Sequence, residues 1–161
     1  MKLAFDNISG GIFALNSEMM ARGIEGSRQS KRKRVILPIH RTQDALVQRM
    51  LNFMQPETYI RPHMHAREEA TETVVLLKGA LRFIVFSGEG EIEQKIELSA
   101  NEVNGVIDIE PNIWHSFLVL EKDTVILEMK RGPYDTALDK TFAAWSPEEF
   151  TKESICYMQS W

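Results

Sequence analysis

From residue 45 to residue 130 the chain is a succession of short β-branched and aromatic runs, parted by Gly, Pro, Asn and Ser turn signals. Residues 72–77 and 81–86 flank Lys78-Gly79-Ala80, which predicts a hairpin. Ser87-Gly88-Glu89-Gly90 is a further turn, followed by a strand through Ile92, Gln94 and Ile96. Residues 103–109, 115–120 and 124–130 complete the series. Residues 46–54 are ambiguous, because Leu46, Val47, Met50, Leu51 and Met54 also suit one helical face. Closely spaced short strands joined by turns can bury their apolar faces only as a sandwich or barrel. The fold class is therefore all-β.

The flanks differ in character. Residues 1–34 form an N-terminal region, with a short helix opened by Ser17 as N-cap and ended early by Gly23 and Gly26. Its polar end carries Lys31, Arg32, Lys33 and Arg34, expected to be a solvated arm, with a phosphate-binding lid as the alternative. Residues 35–132 are the barrel, and residues 133–161 a C-terminal extension packing on it. Within that extension Ser146-Pro147-Glu148-Glu149 predicts a helix start, with Ser146 as N-cap and Pro147 at the first helical position.

With 161 residues the chain suits one domain. A net charge of −4 argues against wholesale binding to nucleic acid or to an anionic membrane. The lone Cys156 cannot form an intramolecular disulfide. No apolar run is long enough to span a membrane and no signal peptide is apparent, so a cytoplasmic location is expected.

Histidine is scarce, with four in the chain, and two of them stand as His63-Met64-His65. On a strand, residues two apart point to the same face, close enough to hold one ion. Glu72 opens the next predicted strand and His115 a later one. Three neutral imidazoles and a carboxylate suit one divalent Zn, Fe, Ni or Mn ion. Glu68 and Glu69 are rival carboxylates. Tyr59 and Arg61 share the parity of His63 and His65, which makes them candidate catalytic residues. Arg61 would need a ligand anion or an internal carboxylate such as Glu128. Tyr134 and Lys130, after and at the end of the last strand, could close one mouth of the barrel.

These spacings resemble the two cupin motifs. His63-x-His65 followed by Glu72 and Gly79 is similar to the first, and Gly105, Pro111 and His115 to the second. Glu72, not Glu68 or Glu69, keeps the distance to Gly79. The glycine that usually follows the proline is absent, and Asn112 can supply its left-handed conformation. The resemblance implies a double-stranded β-helix, a jelly-roll barrel of the RmlC-like kind. More narrowly, the chain resembles the WbuC family of cupin-fold metalloproteins. The matching stretches are residues 47–49 and 59–65, Gly132-Pro133-Tyr134-Asp135, Asp139-Lys140, Phe142-Ala143, Trp145 and Pro147-Glu148-Glu149. His40 also falls where that family places a histidine. The resemblance implies that residues 46–54 are a strand and that a metal is bound. Some members are encoded among enzymes that build surface polysaccharide from nucleotide sugars.

The expectation is a metal-binding cupin acting on or binding a small polar anionic or carbohydrate-derived ligand. The alternatives are a metal-independent nucleotide-sugar epimerase or isomerase, with His63 or His115 as base and Tyr134 or Tyr59 as acid, and a non-catalytic binding or sensor protein. Exposed sheet edges make a homodimer the expected assembly.

Overall fold

The computed structural model describes residues 4–161. Ten strands form two antiparallel sheets. They are β1 (Arg34–Pro38), β2 (Val47–Met54), β3 (His63–Met64), β4 (Glu72–Lys78), β5 (Ala80–Phe86), β6 (Ile92–Ser99), β7 (Val106–Ile109), β8 (Trp114–Val119), β9 (Thr124–Arg131) and β10 (Thr141–Phe142). One sheet has the order β1-β2-β9-β4-β7 and the other β10-β3-β8-β5-β6. The two helices, α1 (Ser17–Gln29) and α2 (Lys152–Met158), lie outside the barrel sequence.

Both sheets are covered on both faces. Between them Met54, Leu76, Phe83, Phe117 and Ile126 form the inner core. On the outer face of the first sheet, Val35, Leu37, Leu51 and Phe53 pack under α1 and the N-terminal segment. On the outer face of the second, Ile84 and Phe86 pack with Tyr59 and the C-terminal Trp161. This double burial explains why β2 looks ambiguous in sequence: Leu51 and Phe53 face α1 while Met50 and Met54 face inward, so alternation is lost.

Several expectations change. α1 is capped by Asn16, whose side chain accepts from Met19 N–H at 2.8 Å, and it runs through both glycines. The glycines serve close packing: a Cβ on Gly23 would collide with the Phe53 ring. β1 is a strand the turn pattern does not reveal. The strand implied by the shared parity of Tyr59, Arg61, His63 and His65 is reduced to β3, and the residues before it are unpaired in the ladders. β4 and β5 are not a hairpin. Gly79 (φ +82) carries the chain from one sheet to the other, so close to Thr124 that a Cβ would clash with its hydroxyl.

The C-terminal extension also differs. No helix starts at Ser146, because Ser146 Oγ accepts from Arg61 Nε at 3.1 Å and Pro147 O accepts from Tyr59 Oη at 2.9 Å. The helix there is α2, capped by Thr151. The basic run is not simply a solvated arm. Arg32 chelates the Glu149 carboxylate through two 3.1 Å hydrogen bonds, and Arg34, buried at the start of β1, donates to the same carboxylate and to Tyr59 O. Burial lowers the Arg34 guanidinium to about 10, against the opposing pull of Glu149. Burial alone would raise the Glu149 carboxyl, but Arg34 and Arg32 outweigh it and hold it below its ordinary value of 4.5.

Two outcomes follow from these contacts. Gly23→Ala ordinarily gains about 1 kcal/mol in a helix. Here overpacking against Phe53 costs more, so urea unfolding should show a net loss of about 1–2 kcal/mol. Glu149→Gln should destabilise by about 1–2 kcal/mol at neutral pH, because Arg34 keeps its burial and loses its charge partner. A depressed carboxyl stabilises above its unfolded pKa and loses that contribution as pH falls through its folded value. The difference between wild type and variant in unfolding titrations should therefore shrink in acid, as pH falls through the depressed folded value of the Glu149 carboxyl.

Candidate metal centre

β3 and β8 are neighbours, and their register sets His63 directly opposite His115. Glu72, the first residue of β4, comes from the facing sheet, and His65 follows β3. The ligand atoms of His63, His65, Glu72 and His115 all lie within 4.8 Å of one another, and all four residues are at most 5% exposed. Asn112, at φ +66, makes the turn that delivers β8 into this position.

The outer ring nitrogens decide the protonation of the cluster. His63 Nδ1 lies 2.9 Å from Arg61 O, His65 Nδ1 2.5 Å from Asp139 O, and His115 Nδ1 2.9 Å from Ile113 O. A carbonyl only accepts, so each Nδ1 carries a proton and each ring turns its Nε2 inward. His65 Nε2 approaches Glu72 Oε2 at 2.8 Å and His115 Nε2 approaches it at 3.6 Å. His115 Nε2 is buried with no hydrogen-bond partner. Three imidazole nitrogens and a carboxylate converging in a buried space call for positive charge among them, and this set could hold a metal ion. Backbone carbonyls behind ligating histidines are also the usual device for orienting them toward a metal. The donor set fits a borderline divalent ion such as Zn, Fe, Ni or Mn.

Charge agrees with this assignment. Burial, with help from Lys140 and His115, keeps the His63 imidazole far below its ordinary titration range, hence neutral. Burial works against ionisation of Glu72, and hydrogen bonds and charge from the facing His115 and His65 rings outweigh it and hold the carboxyl well below 4.5, a part that a bound cation would take over.

The cluster opens onto a cavity of about 420 Å³ between the sheets, with His63 and Glu72 in its wall. Register places Glu72, Lys130 and Gln48 in one row across β4, β9 and β2. Glu128 and Asn52 are also inward, joined by a 2.8 Å hydrogen bond from Asn52 Nδ2 to Glu128 Oε2. Burial and the nearby Glu72 push the Glu128 carboxyl above its ordinary value, against Lys130. Lys130 stays charged: Glu128 and Asp139 outweigh burial, and its ammonium is paired with Asp139. His40, Tyr134 and Lys140 complete the polar wall.

The structure therefore brings His63, His65, Glu72 and His115 together and turns the rival carboxylates away. Glu69 pairs with Arg131 at the surface, and Glu68 is exposed, its carbonyl accepting from Arg131. Tyr134 reaches the cavity; Tyr59 and Arg61 do not line it. Tyr59 is spent on Pro147, and Arg61 on Ser146 and the carbonyl of Ala143, not on Glu128. Gln48, Asn52, Glu128 and Lys140 are the cavity residues that sequence reading passes over as site groups. Polar residues at one parity in strands otherwise apolar on both faces were a signal for the first three. Lys140 lies in a loop, and its one mark in the sequence is the Asp139-Lys140 pair of the WbuC resemblance.

Two sheets rolled into a jelly roll around a buried His₃Glu cluster define a cupin-fold protein. The model for the family described as Domain of unknown function (DUF6016) matches residues 15–98, more than half of the chain, and the chain belongs to that family. No curated protein matches the sequence. Among solved structures, the fold is shared with the capsular polysaccharide assembling protein CapF from Staphylococcus aureus, at 19% identity and TM-score 0.56. That likeness covers 66% of this chain and 29% of CapF. An oxalate decarboxylase of Lactobacillus farciminis, in a formate complex, is 14% identical with a TM-score of 0.51 over 66% of this chain and 30% of that one. An oxalate oxidase bound to the substrate analogue glycolate is 15% identical with a TM-score of 0.52, over 71% and 57%. The chain thus corresponds to less than a third of CapF and of the decarboxylase, and to little more than half of the oxidase. At these identities the likeness is one of fold.

Zinc at saturating excess over the chain should raise the thermal unfolding midpoint by about 10 °C, the effect of a ligand about a thousandfold above its Kd. His115→Ala should abolish the rise. An equal rise in wild type and variant would place the metal elsewhere.

Proposed function

We propose that this protein is a metal-dependent cupin whose cavity binds and transforms a small polar anion, with one divalent Zn, Fe, Ni or Mn ion held by His63, His65, Glu72 and His115. The observation that carries this reading is the convergence of three Nε2 atoms on Glu72 at the head of a charged cavity. When bound, the metal supplies Lewis acidity toward a carbonyl or hydroxyl oxygen of the ligand. The chain's own residues do the rest. The surrounding apolar core excludes water, which strengthens every electrostatic contact inside. Glu128, its carboxyl raised by burial and held by Asn52, is the group placed to hold or move a proton in the cavity. Tyr134, 44% exposed with Lys130 Nζ 6.0 Å from its ring centre, flanks the mouth.

The WbuC resemblance supports a finer setting, surface polysaccharide or nucleotide-sugar metabolism in the cytoplasm. Residues of that resemblance stand at the site: Asp139 holds His65 through its carbonyl, and Lys140, Phe142 and Tyr134 line the cavity. The likeness of fold to CapF, a capsular polysaccharide assembling protein, is in keeping with this reading. The proposal includes pairing of two copies through the open edges of the sheets, which sedimentation of the purified chain decides.

The direct test is to incubate the metal-loaded chain with sugar acids, nucleotide sugars and uncharged sugars, then follow binding by thermal shift and product formation by mass spectrometry. Anionic compounds should bind, and a chelator should abolish binding and turnover together. Binding or epimerisation unaffected by chelation would contradict the metal-dependent reading and favour a metal-independent epimerase. Ligand taken up with metal and released unchanged would leave a binding protein.

A further inference from the structure

The charged groups on the cavity wall mostly have protein partners. Arg32 and Arg34 share Glu149, Lys130 has Asp139, Glu72 has the imidazoles and Glu128 has Asn52. Lys140 is different. Among the described residues it makes no hydrogen bond and no ion pair, although it lines the cavity. Burial, then Lys130, lowers its ammonium below the ordinary value of 10.5, while Glu128, Glu72 and Asp139 pull the other way without bonding to it. Its position is fixed on both sides by the histidines of the cluster: the preceding Asp139 O accepts from His65 Nδ1, and Phe142 pairs with His63 in the β10–β3 ladder.

A second donor lacks a partner. His40 is 2% exposed, and its Nδ1 lies 3.0 Å from Arg49 N and 2.8 Å from Arg49 O. That carbonyl already accepts Ile39 N–H at 2.8 Å and His40 N–H at 3.3 Å, whereas Arg49 N–H has His40 Nδ1 as its acceptor. The backbone donor must be satisfied, so the neutral ring carries its proton on Nε2. That Nε2–H is buried with no partner among the described residues, in a residue of the cavity wall.

Charge balance sets the sign of the missing ligand. A divalent ion with Glu72 leaves one positive charge, Lys130 and Asp139 cancel, and Lys140 adds another. Glu128, at most singly negative and pushed toward neutrality, does not offset both. We infer that the cavity recognises a hydroxylated monocarboxylate, its carboxylate seated on the Lys140 ammonium while another of its oxygens faces the metal ligands. The inference rests on the metal-centre reading. His40 Nε2–H supplies a neutral donor suited to a hydroxyl oxygen of the same molecule. A volume of about 420 Å³ is at the small end of ligand pockets, which run from about 300 to 1,000 Å³. Phosphate is disfavoured, because both arginines of the wall are committed to Glu149 and a single ammonium lacks the forked donors that phosphate recognition uses.

The test is calorimetric titration of the zinc-loaded chain with gluconate, its neutral amide gluconamide and inorganic phosphate, with bound metal measured in every sample. Wild type should bind gluconate in preference to both. Lys140→Met should weaken gluconate about tenfold or more, the scale of a lost charge-assisted hydrogen bond, while Lys140→Arg keeps most of the affinity. Equal gluconate binding by wild type and Lys140→Met overturns the inference. So does a wild type that is full of metal and ignores gluconate, or one that prefers phosphate. If wild type takes up no zinc, the metal reading fails by itself. Titration of the metal-free proteins then decides whether Lys140 seats the carboxylate, as it does if the substitution alters metal uptake.

Discussion

Three hydrogen bonds from histidine Nδ1 to backbone carbonyls are the constraint on which the site depends. Arg61, Ile113 and Asp139 supply the carbonyls, and they come from three separate stretches of chain. Each fixes one ring's orientation, so that Nε2 faces Glu72. Remove the positive charge that such an arrangement calls for, and like-signed electron pairs face one another in a dry interior. The C-terminal extension is therefore part of the centre, since Asp139 lies in it. The same segment delivers Lys140 to the cavity and, through Glu149, holds Arg32 and Arg34 at the start of β1.

The barrel makes this possible by dividing its interior. One end is filled by Leu76, Phe83, Phe117 and their neighbours, a packed apolar plug. The other keeps Gln48, Asn52, Glu128 and Lys130 on inward-facing positions of β2 and β9, and these polar groups bound the open volume. Sheets covered on their outer faces by α1 and by the C-terminal aromatic cluster can carry polar residues inward while keeping a large apolar area buried elsewhere. Gly79 and Asn112 serve the same end. With positive φ, the first switches the chain between sheets after β4 and the second aims β8 so that His115 meets His63.

Much of this was legible in the sequence, for definite reasons. Ligands repeated at period two, with glycine and asparagine at turns, mark a metal site in a β fold, and the structure gathers the four residues so marked. What could not be read is non-local. Nothing near Gly79 says that its flanking strands join different sheets, because that depends on pairing with β7, β9, β6 and β8. Gly23 and Gly26 read as helix terminators until the Phe53 ring and the Phe5 and Val35 side chains are seen against them. Tyr59 and Arg61 have the parity of the ligands, but the chain before β3 lies outside the ladders and turns both toward the C-terminal extension. Lys140 has no periodic pattern around it, and its meaning comes only from the partner it lacks.

Whether one divalent ion sits among His63, His65, Glu72 and His115 is decided by plasma mass spectrometry of the purified chain, beside Glu72→Gln and His63→Ala. Close to one metal per chain is expected in the wild type, with a large loss in both variants. A wild type that carries no metal and takes none up on reconstitution, or variants that bind it as fully as the wild type, would contradict the assignment.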